Sequence, residues 1–507
     1  MSKAQETAQP RVTAPGDRPV HVLIKDRLDK LAWIKSQGID PYPYSFNKTW
    51  YCGDLQRGFE SLKPEEKRSE HVRIAGRIMS FRKMGKVSFC TVQDQSGRVQ
   101  AFFRYDDLGE KPYELMSKCD IGDVVGVVGE PFKTKSGELS VHAKEFHLLS
   151  KSIRPLPEKF HGLVDTETRY RKRYLDLIMN PEVKGVFVKR SRIIDAIRNH
   201  LNGHGFLEVD TPILHHNYGG ANARPFKSKL NALDMDVYLR IADELHLKRL
   251  QVGGFEKIYE FAKDFRNEGI DRTHNPEFMQ IEIYQAWVDY TLIMQLIEHL
   301  FRAACRAVNG TEHCTYGDHH IDFSQPFRRI TMRDAIKEYA NIDVDKLTDE
   351  ELFDLRITYN LEIKCDLSRG VLIMALFEEL VEDKLISPTY VIEHPVESTP
   401  LCKPSRAHKG FVERAELFVA GFECANIYSE LNDPLLQRKL LEDQATKLRA
   451  GSEEAHPMDE DFIEAIEYGM PPMGGVGFGI DRLTMLLTNS HTIKDVILFP
   501  FMKPEEK

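Results

Sequence analysis

The chain has 507 residues, too many for one ordinary core, so two or three domains are expected. With 42% hydrophobic and 29% charged residues it reads as soluble and globular, and no run approaches the roughly eighteen apolar residues of a membrane span. The net charge of −9 argues against indiscriminate nucleic-acid binding; its uneven spread, +4 over residues 1–150 and −13 over the rest, fits a front module that meets an anion.

Residues 1–19 read as a polar tail with no apolar core of a signal peptide, which leaves the cytoplasm as the expected location. Leu28, Leu31 and Ile34 among charges predict an amphipathic helix over Leu23–Gly38, and Pro41 and Pro43 then force extended chain. From His71 the hydrophobic period changes to two. Five short segments, H-V-R-I-A-G-R-I, V-S-F-C-T-V, R-V-Q-A-F-F, D-V-V-G-V-V-G and L-S-V-H-A, are parted by glycine turns, so residues 20–152 are expected to hold a small β-barrel of the OB type. A linker is expected at 153–175, where R-P-L-P-E-K-F-H lies, and 176–507 mix helical patterns with strands in one larger domain. Ile193, Ile197 and Leu201 recur every four residues on a helix that G-H-G ends. The strand F-L-E-V-D-T-P follows; its Pro212 cannot donate to a ladder and belongs at an edge or an interface.

The eight cysteines, Cys52, Cys90, Cys119, Cys305, Cys314, Cys365, Cys402 and Cys424, never form C-x-x-C pairs, so reduced thiols are expected rather than disulfides or structural zinc. The histidines lack metal-ligand spacing, and His215-His216 and His319-His320 read as surface pairs.

Three segments carry chemistry. Phe265–Tyr284, F-R-N-E-G-I-D-R-T-H-N-P-E-F-M-Q-I-E-I-Y, gathers guanidinium forks suited to polyphosphate, an aromatic face suited to a purine and carboxylates suited to an ammonium. Gly469–Leu483, G-M-P-P-M-G-G-V-G-F-G-I-D-R-L, is a glycine-dense strand running into a helix, which lets a ligand approach the backbone and sets Arg482 near a helix start. From Glu416, E-L-F-V-A-G-F-E-C-A-N-I-Y-S-E-L-N-D places Glu416 and Glu423 among apolar neighbours, where magnesium bridging phosphates would explain them. Asn426, Tyr428 and Glu430 alternate, which on a strand puts them on one face.

Together these segments resemble the class II aminoacyl-tRNA synthetases. Phe265–Glu268 is similar to the second family motif, Gly477–Arg482 to the third and Ile193–Pro212 to the first. The finer resemblance is to the bacterial-type lysyl enzymes, in the subgroup shared with the aspartyl and asparaginyl ones. It rests on G-G-A-N-A-R-P-F, L-R-I-A-D-E-L-H-L-K-R-L, the H-N-P-E-F run, A-N-I-Y-S-E-L-N-D-P and T-N-S-H-T-I-K-D-V-I-L-F-P.

That resemblance implies an α+β catalytic domain built on an antiparallel sheet, behind an N-terminal OB-fold β-barrel. It implies ATP-dependent attachment of L-lysine to tRNA(Lys) through a lysyl-adenylate, with Mg2+, in a homodimer joined along Ile193–Pro212. Arg266, Glu268 and Arg482 would be the catalytic residues. Arg266, Glu268, His274, Asn275, Phe278, Glu416 and Arg482 would bind ATP, Phe278 stacking on adenine. Glu416 and Glu423 would hold the metal. Gly220, Glu244, Glu282, Tyr284, Asn426, Tyr428 and Glu430 would form the lysine pocket, and Phe89, Gln100 and Glu138 would read the anticodon.

The chemistry suits these roles. In-line attack of a carboxylate on a phosphorus needs positioning and charge neutralisation rather than a covalent protein intermediate. A side-chain ammonium among Glu244, Glu282 and Glu430 is paired, whereas aspartate there would leave buried charges unpaired at roughly 3–5 kcal/mol. An aspartyl- or asparaginyl-type enzyme, or a non-catalytic tRNA-binding paralogue, is the alternative. M-S-K at Met116–Lys118 echoes the other synthetase class, but no H-I-G-H accompanies it. Met279, Ala415, Met473-Gly474 and Ser228–Asn231 depart from the family pattern, and their effect on the pocket is left to the structure.

Overall fold

Two-residue periodicity closes the front unit into a barrel. Its strands are β1 (Val72–Met84), β2 (Val87–Gln93), β3 (Arg98–Arg104), β4 (Val124–Lys133) and β5 (Leu139–Ser150), in the order β1–β2–β3–β5–β4. Only β3 and β5 run parallel. The inward residues, among them Ile74, Cys90, Val92, Phe103, Val127 and Val141, form one buried cluster. The helix Val20–Ser36 adds Ile34 to it, and Gly38, at φ 71°, turns the chain out of that helix.

The computed structural model describes residues 19–157, 163–221, 223–361, 363, 367–449 and 458–505. The tail up to residue 18, Asn222 and Cys365 thus lie outside the described residues. The chain divides into two units, Met1–Gly162 and Leu163–Lys507. The helix Thr166–Arg171, within the stretch expected as linker, belongs to the second unit: Tyr170 donates to Asp495 Oδ1 at 2.9 Å, and neighbouring Arg173 donates to the Lys494 and Leu498 carbonyls at 2.7 and 3.0 Å.

The second unit is an α+β fold on an eight-stranded sheet. The strands lie in the order Arg328–Thr331, Thr389–Pro395, Phe411–Val419, Phe422–Ser429, Met473–Gly479, Glu277–Ala286, Lys257–Phe265 and Leu207–Glu208. The inner six are antiparallel and the two edge pairs parallel. Alternation gives the sheet two unlike faces. Ile281, Ile283, Ala415, Ala425, Ile427, Val476 and Phe478 join the main core cluster. Against them pack Ile193, Ile197 and Leu201 of the Pro181–Gly203 helix and the apolar stripe of the Tyr290–Asn309 helix. The intervening residues Glu282, Tyr284, Asn426, Tyr428 and Glu416 face the other way.

Two expectations need correction. The strand after G-H-G spans only Leu207–Glu208, because the chain leaves the sheet before Pro212. His215 is buried rather than on the surface; its ring bonds to the Pro212 carbonyl at 2.8 Å, and burial lowers its pKa. The departures from the family pattern mostly miss the polar face. Ala415 and Met473 are core residues, a Cβ on Gly474 would lie 2.6 Å from Ile293 Cγ1, and Ser228–Leu230 sit on a separate small sheet.

Candidate active site

The polar face of the sheet floors a cavity of about 360 Å³. Its middle strand, Met473–Gly479, presents Gly475, Gly477 and Gly479 to the cavity while Val476 and Phe478 enter the core. Side chains flanking the glycines come into line by register: Glu282 and Asn426 both pair with Gly477, and Tyr284 and Tyr428 with Gly475. Every residue expected in the ATP, metal and lysine sites lines this one cavity, including Gly220, Glu244, Glu268, Asn275 and Glu430. Met279 alone of the departing residues does so.

At one end sits the Arg266–Pro276 turn. Its base is closed by Arg266 N donating to the Pro276 carbonyl at 2.9 Å, and the Arg266 guanidinium lies 5.1 Å above the Phe278 ring. Asp271 accepts from the backbone N–H groups of Thr273 and His274 at 2.6 and 2.8 Å and from the His274 ring at 2.8 Å, which shapes the turn. Buried Asn275 donates to the Glu277 carbonyl at 2.5 Å. Arg482, in the first turn of the helix Ile480–Thr488, donates to the Glu423 carbonyl at 2.7 Å and lies 3.2 Å from His274 Nε2, so two distant segments meet. Its neighbour Asp481 is structural: it accepts from Met279 N at 2.7 Å and pairs with Arg190 at 2.5 Å.

Glu416 and Glu423 face the cavity from neighbouring strands. Strict alternation would separate Glu423 from Asn426; a register shift between Leu417 and Phe418 brings both to the same side. Glu416 pairs with Arg414, which also donates to Asn426 Oδ1 at 3.0 Å, and Glu423 Oε2 lies 3.4 Å from Arg482. No group of three His, Cys, Asp or Glu could hold a metal among the described residues. Two carboxylates facing a cleft fit magnesium, which takes one or two of them and fills its shell with phosphate and water oxygens.

The other end is acidic. Buried Glu282 accepts from Gln280 Nε2 at 3.0 Å and from Tyr284 Oη at 2.8 Å. Its carboxyl is held well above the usual range, first by burial and then by Asp243, Glu244 and Asp264. Burial likewise raises Asp243 well above that range and Asp264 to about 6. Glu244 and Glu430 share Lys248, which the sequence reading missed although it stands one helical turn beyond Glu244.

In the front unit Ser88 and Cys90 point inward, so Phe89 lies on the outer face of the barrel, half-buried and opposite Phe102 in register, with ring centroids 5.1 Å apart. Phe102 continues the row to His142 at 5.2 Å and Phe132 at 5.6 Å, none of them anticipated. Gln100 donates to Glu138 Oε2 at 2.5 Å, so the three expected base-reading residues are linked in one neighbourhood.

Comparison with known proteins bears on both units. Residues 165–503 match the family described as tRNA synthetases class II (D, K and N), and residues 72–149 match the OB-fold nucleic acid binding domain. The chain is 52% identical over 483 residues to a lysine–tRNA ligase of Syntrophomonas wolfei, covering 95% of this chain and 97% of that one. It is 51% identical to a lysine–tRNA ligase of Thermoanaerobacter pseudethanolicus, over 95% and 96% of the two chains. With that of Moorella thermoacetica it shares 50% identity over 96% and 98%.

Proposed function

We propose a division of labour for this chain, which belongs to the lysine–tRNA ligases within the class II tRNA synthetases (D, K and N): nucleotide at the arginine end of the cavity, amino acid at the acidic end. The chain attaches L-lysine to tRNA with ATP through a lysyl-adenylate. The lysine α-carboxylate attacks the α-phosphorus in line, an oxygen–phosphorus bond forms, and pyrophosphate leaves. The 3′-terminal hydroxyl of tRNA then attacks the adenylate carbonyl and AMP leaves. Arg266 grips the α-phosphate and Arg482 the γ-phosphate, Glu268, His274 and Asn275 place the nucleotide, and Phe278 stacks on adenine. Glu416 and Glu423 would hold Mg2+, which would supply neutralisation of phosphate charge. Gly220, Glu244, Glu282, Tyr284, Asn426, Tyr428 and Glu430 hold lysine.

One observation carries the amino-acid assignment: Glu282 is buried in the cavity with no cation paired to it among the described residues. An aspartate-type pocket would need a free cation there. The two at hand, Lys248 and Arg414, are each committed to carboxylates. Lysine-, aspartate- and asparagine-dependent ATP–pyrophosphate exchange is the test; exchange with aspartate or asparagine but not lysine would sink the assignment.

The glycine floor yields a second expectation. A Cβ on Gly477 meets nothing nearer than Glu282 Cγ at 3.7 Å, so Gly477→Val should fold with an unchanged melting temperature. Its two methyl groups would occupy the cavity floor, and exchange should fall at least about a hundredfold through misplacement of the reacting groups.

For the barrel, Phe89, Gln100 and Glu138 take anticodon bases, Phe89 by stacking. Phe89→Ala should leave exchange unchanged and raise the KM for tRNA about tenfold to a hundredfold, the equivalent of about 1–3 kcal/mol per stacked base. Loss of exchange as well would refute a role confined to the barrel. The enzyme acts as a cytoplasmic homodimer through the Ile193–Pro212 face, a reading supported by the exposed side chain of Leu207 within it and those of Val188, Ile213 and Leu214 flanking it in sequence. No helix among the described residues is long and apolar enough to cross a membrane. A monomer in sedimentation equilibrium would overturn the dimer.

A further inference from the structure

Lys248 has no exposed surface, and its Nζ lies 2.5 Å from Glu244 Oε1 and 2.5 Å from Glu430 Oε2. The two acids come from different elements, Glu244 from the start of the Lys248 helix and Glu430 from the residue just past the Phe422–Ser429 strand. Buried ions of one sign must be matched locally, because a lone buried charge costs far more than a pair. The charges at this end can therefore be counted. Glu244, Glu282 and Glu430 are three carboxylates, and Lys248 is one ammonium. Arg414 is balanced by Glu416, and behind the wall Arg240 lies 2.6 Å from Glu260 and 3.3 Å from Asp264. Asp243 is fully buried, and its burial together with the neighbouring acids Asp264 and Glu260 favours its neutral form. Among the carboxylates that line the cavity at this end, two negative charges remain once Glu282 and Glu430, whose carboxyls burial raises, are ionised; Asp264, which shares Arg240 with Glu260, is not part of that lining. Free lysine carries two ammonium groups, α and ε.

We propose that Lys248 is a positioning residue that sets the charge of the amino-acid pocket: it holds Glu244 and Glu430 together and cancels one of three acidic charges, leaving two for the two ammonium groups of lysine. The inference rests on the lysine reading above. It differs from a purely structural ion pair in one respect. A structural Lys248 would be needed in every background, whereas a charge-setting Lys248 becomes a surplus cation once one of its acids is neutralised.

The test is a double-variant cycle on the full chain, read as the Kd for lysine by calorimetry, with the Kd for ATP and the melting temperature as controls. Lys248→Met in the parent should weaken lysine binding about tenfold to a hundredfold and leave ATP binding within about twofold. On a Glu430→Gln background the same change should act in the opposite direction and tighten lysine binding about tenfold, because it returns the pocket to two charges. Weakening in both backgrounds, or an unchanged lysine Kd in the parent, would overturn the proposal. If Lys248→Met alone does not fold, Glu430→Gln against Lys248→Met/Glu430→Gln still gives the sign, since charge in the double variant is again matched. A parent chain that fails to activate lysine at all would refute the function and not this inference.

Discussion

Arg266→Ala is expected to lower lysine-dependent ATP–pyrophosphate exchange by about a thousandfold or more, with the Kd for lysine little changed. Transfer of a phosphoryl-type centre spreads negative charge over non-bridging oxygens, and a positioned guanidinium is worth about 10³–10⁵ in rate. Arg266 is suited to that duty because its backbone closes the turn against Pro276 and its guanidinium rests over Phe278, leaving the fork few ways to turn. Phe278→Leu, which removes the ring beneath it, should cost less, since charge is retained and only stacking and alignment suffer. Single-turnover formation of the adenylate separates the two. Exchange within about tenfold of the parent in Arg266→Ala would mean that the α-phosphate lies elsewhere.

Glu282→Gln should have the largest effect on the amino acid. Removing one partner of a buried ion pair costs about 3–5 kcal/mol, or more than a hundredfold in lysine affinity. A pH signature accompanies it. Burial, Asp243, Glu244 and Asp264 raise the Glu282 pKa in the free enzyme, and an ammonium set beside it must draw that pKa back down. Binding therefore releases a proton. Above the raised pKa affinity is flat; as pH falls through it, lysine must displace the proton and affinity drops by up to about tenfold per pH unit. Calorimetry in two buffers of different ionisation enthalpy reads the proton directly. In Glu282→Gln the release should vanish. If it persists, the proton comes from another group, of which Glu430, which lines the pocket and is raised by burial to about 7, is the first candidate.

Much of this site was legible in the chain because its parts are short contiguous motifs whose residue types already state their chemistry. Arg266, Phe278 and Glu282 lie within one strand–turn–strand, and alternation alone predicted that Asn426, Tyr428 and Glu430 share a face. The barrel strands were readable for the same reason, their period of two holding over much of their length despite register shifts at Ile78/Ser80, Val124/Val125 and Val128/Gly129. What escaped depends on events that no local window contains. Glu423 was named, but its sharing a side with Asn426 rests on pairing with the Phe411–Val419 strand that leaves Cys424 as an extra residue in its own strand. Lys248 looks like one more helix lysine until Glu430, 182 residues later, closes on it. His215 looks like a surface residue until its ring bonds the Pro212 carbonyl inside the fold. The Thr166–Arg171 helix, in a polar stretch beside Pro155 and Pro157, owes its place to contacts with residues near 495.

The bare strand at Gly475, Gly477 and Gly479 has a consequence for how such an enzyme can change. The walls of the pocket read charge, and the floor, built of hydrogen atoms, sets depth. The two properties reside on different residues and can be altered one at a time. A first carbon at position 477 would shorten the chamber from below while touching Glu282 only at the ordinary contact distance of 3.7 Å, favouring shorter diamino acids over lysine. Position 475 offers no such freedom, because a Cβ there would meet Glu430 and the Tyr284 ring at 2.1 and 2.5 Å. Of two glycines two residues apart, one is a dial and the other a fixed stop.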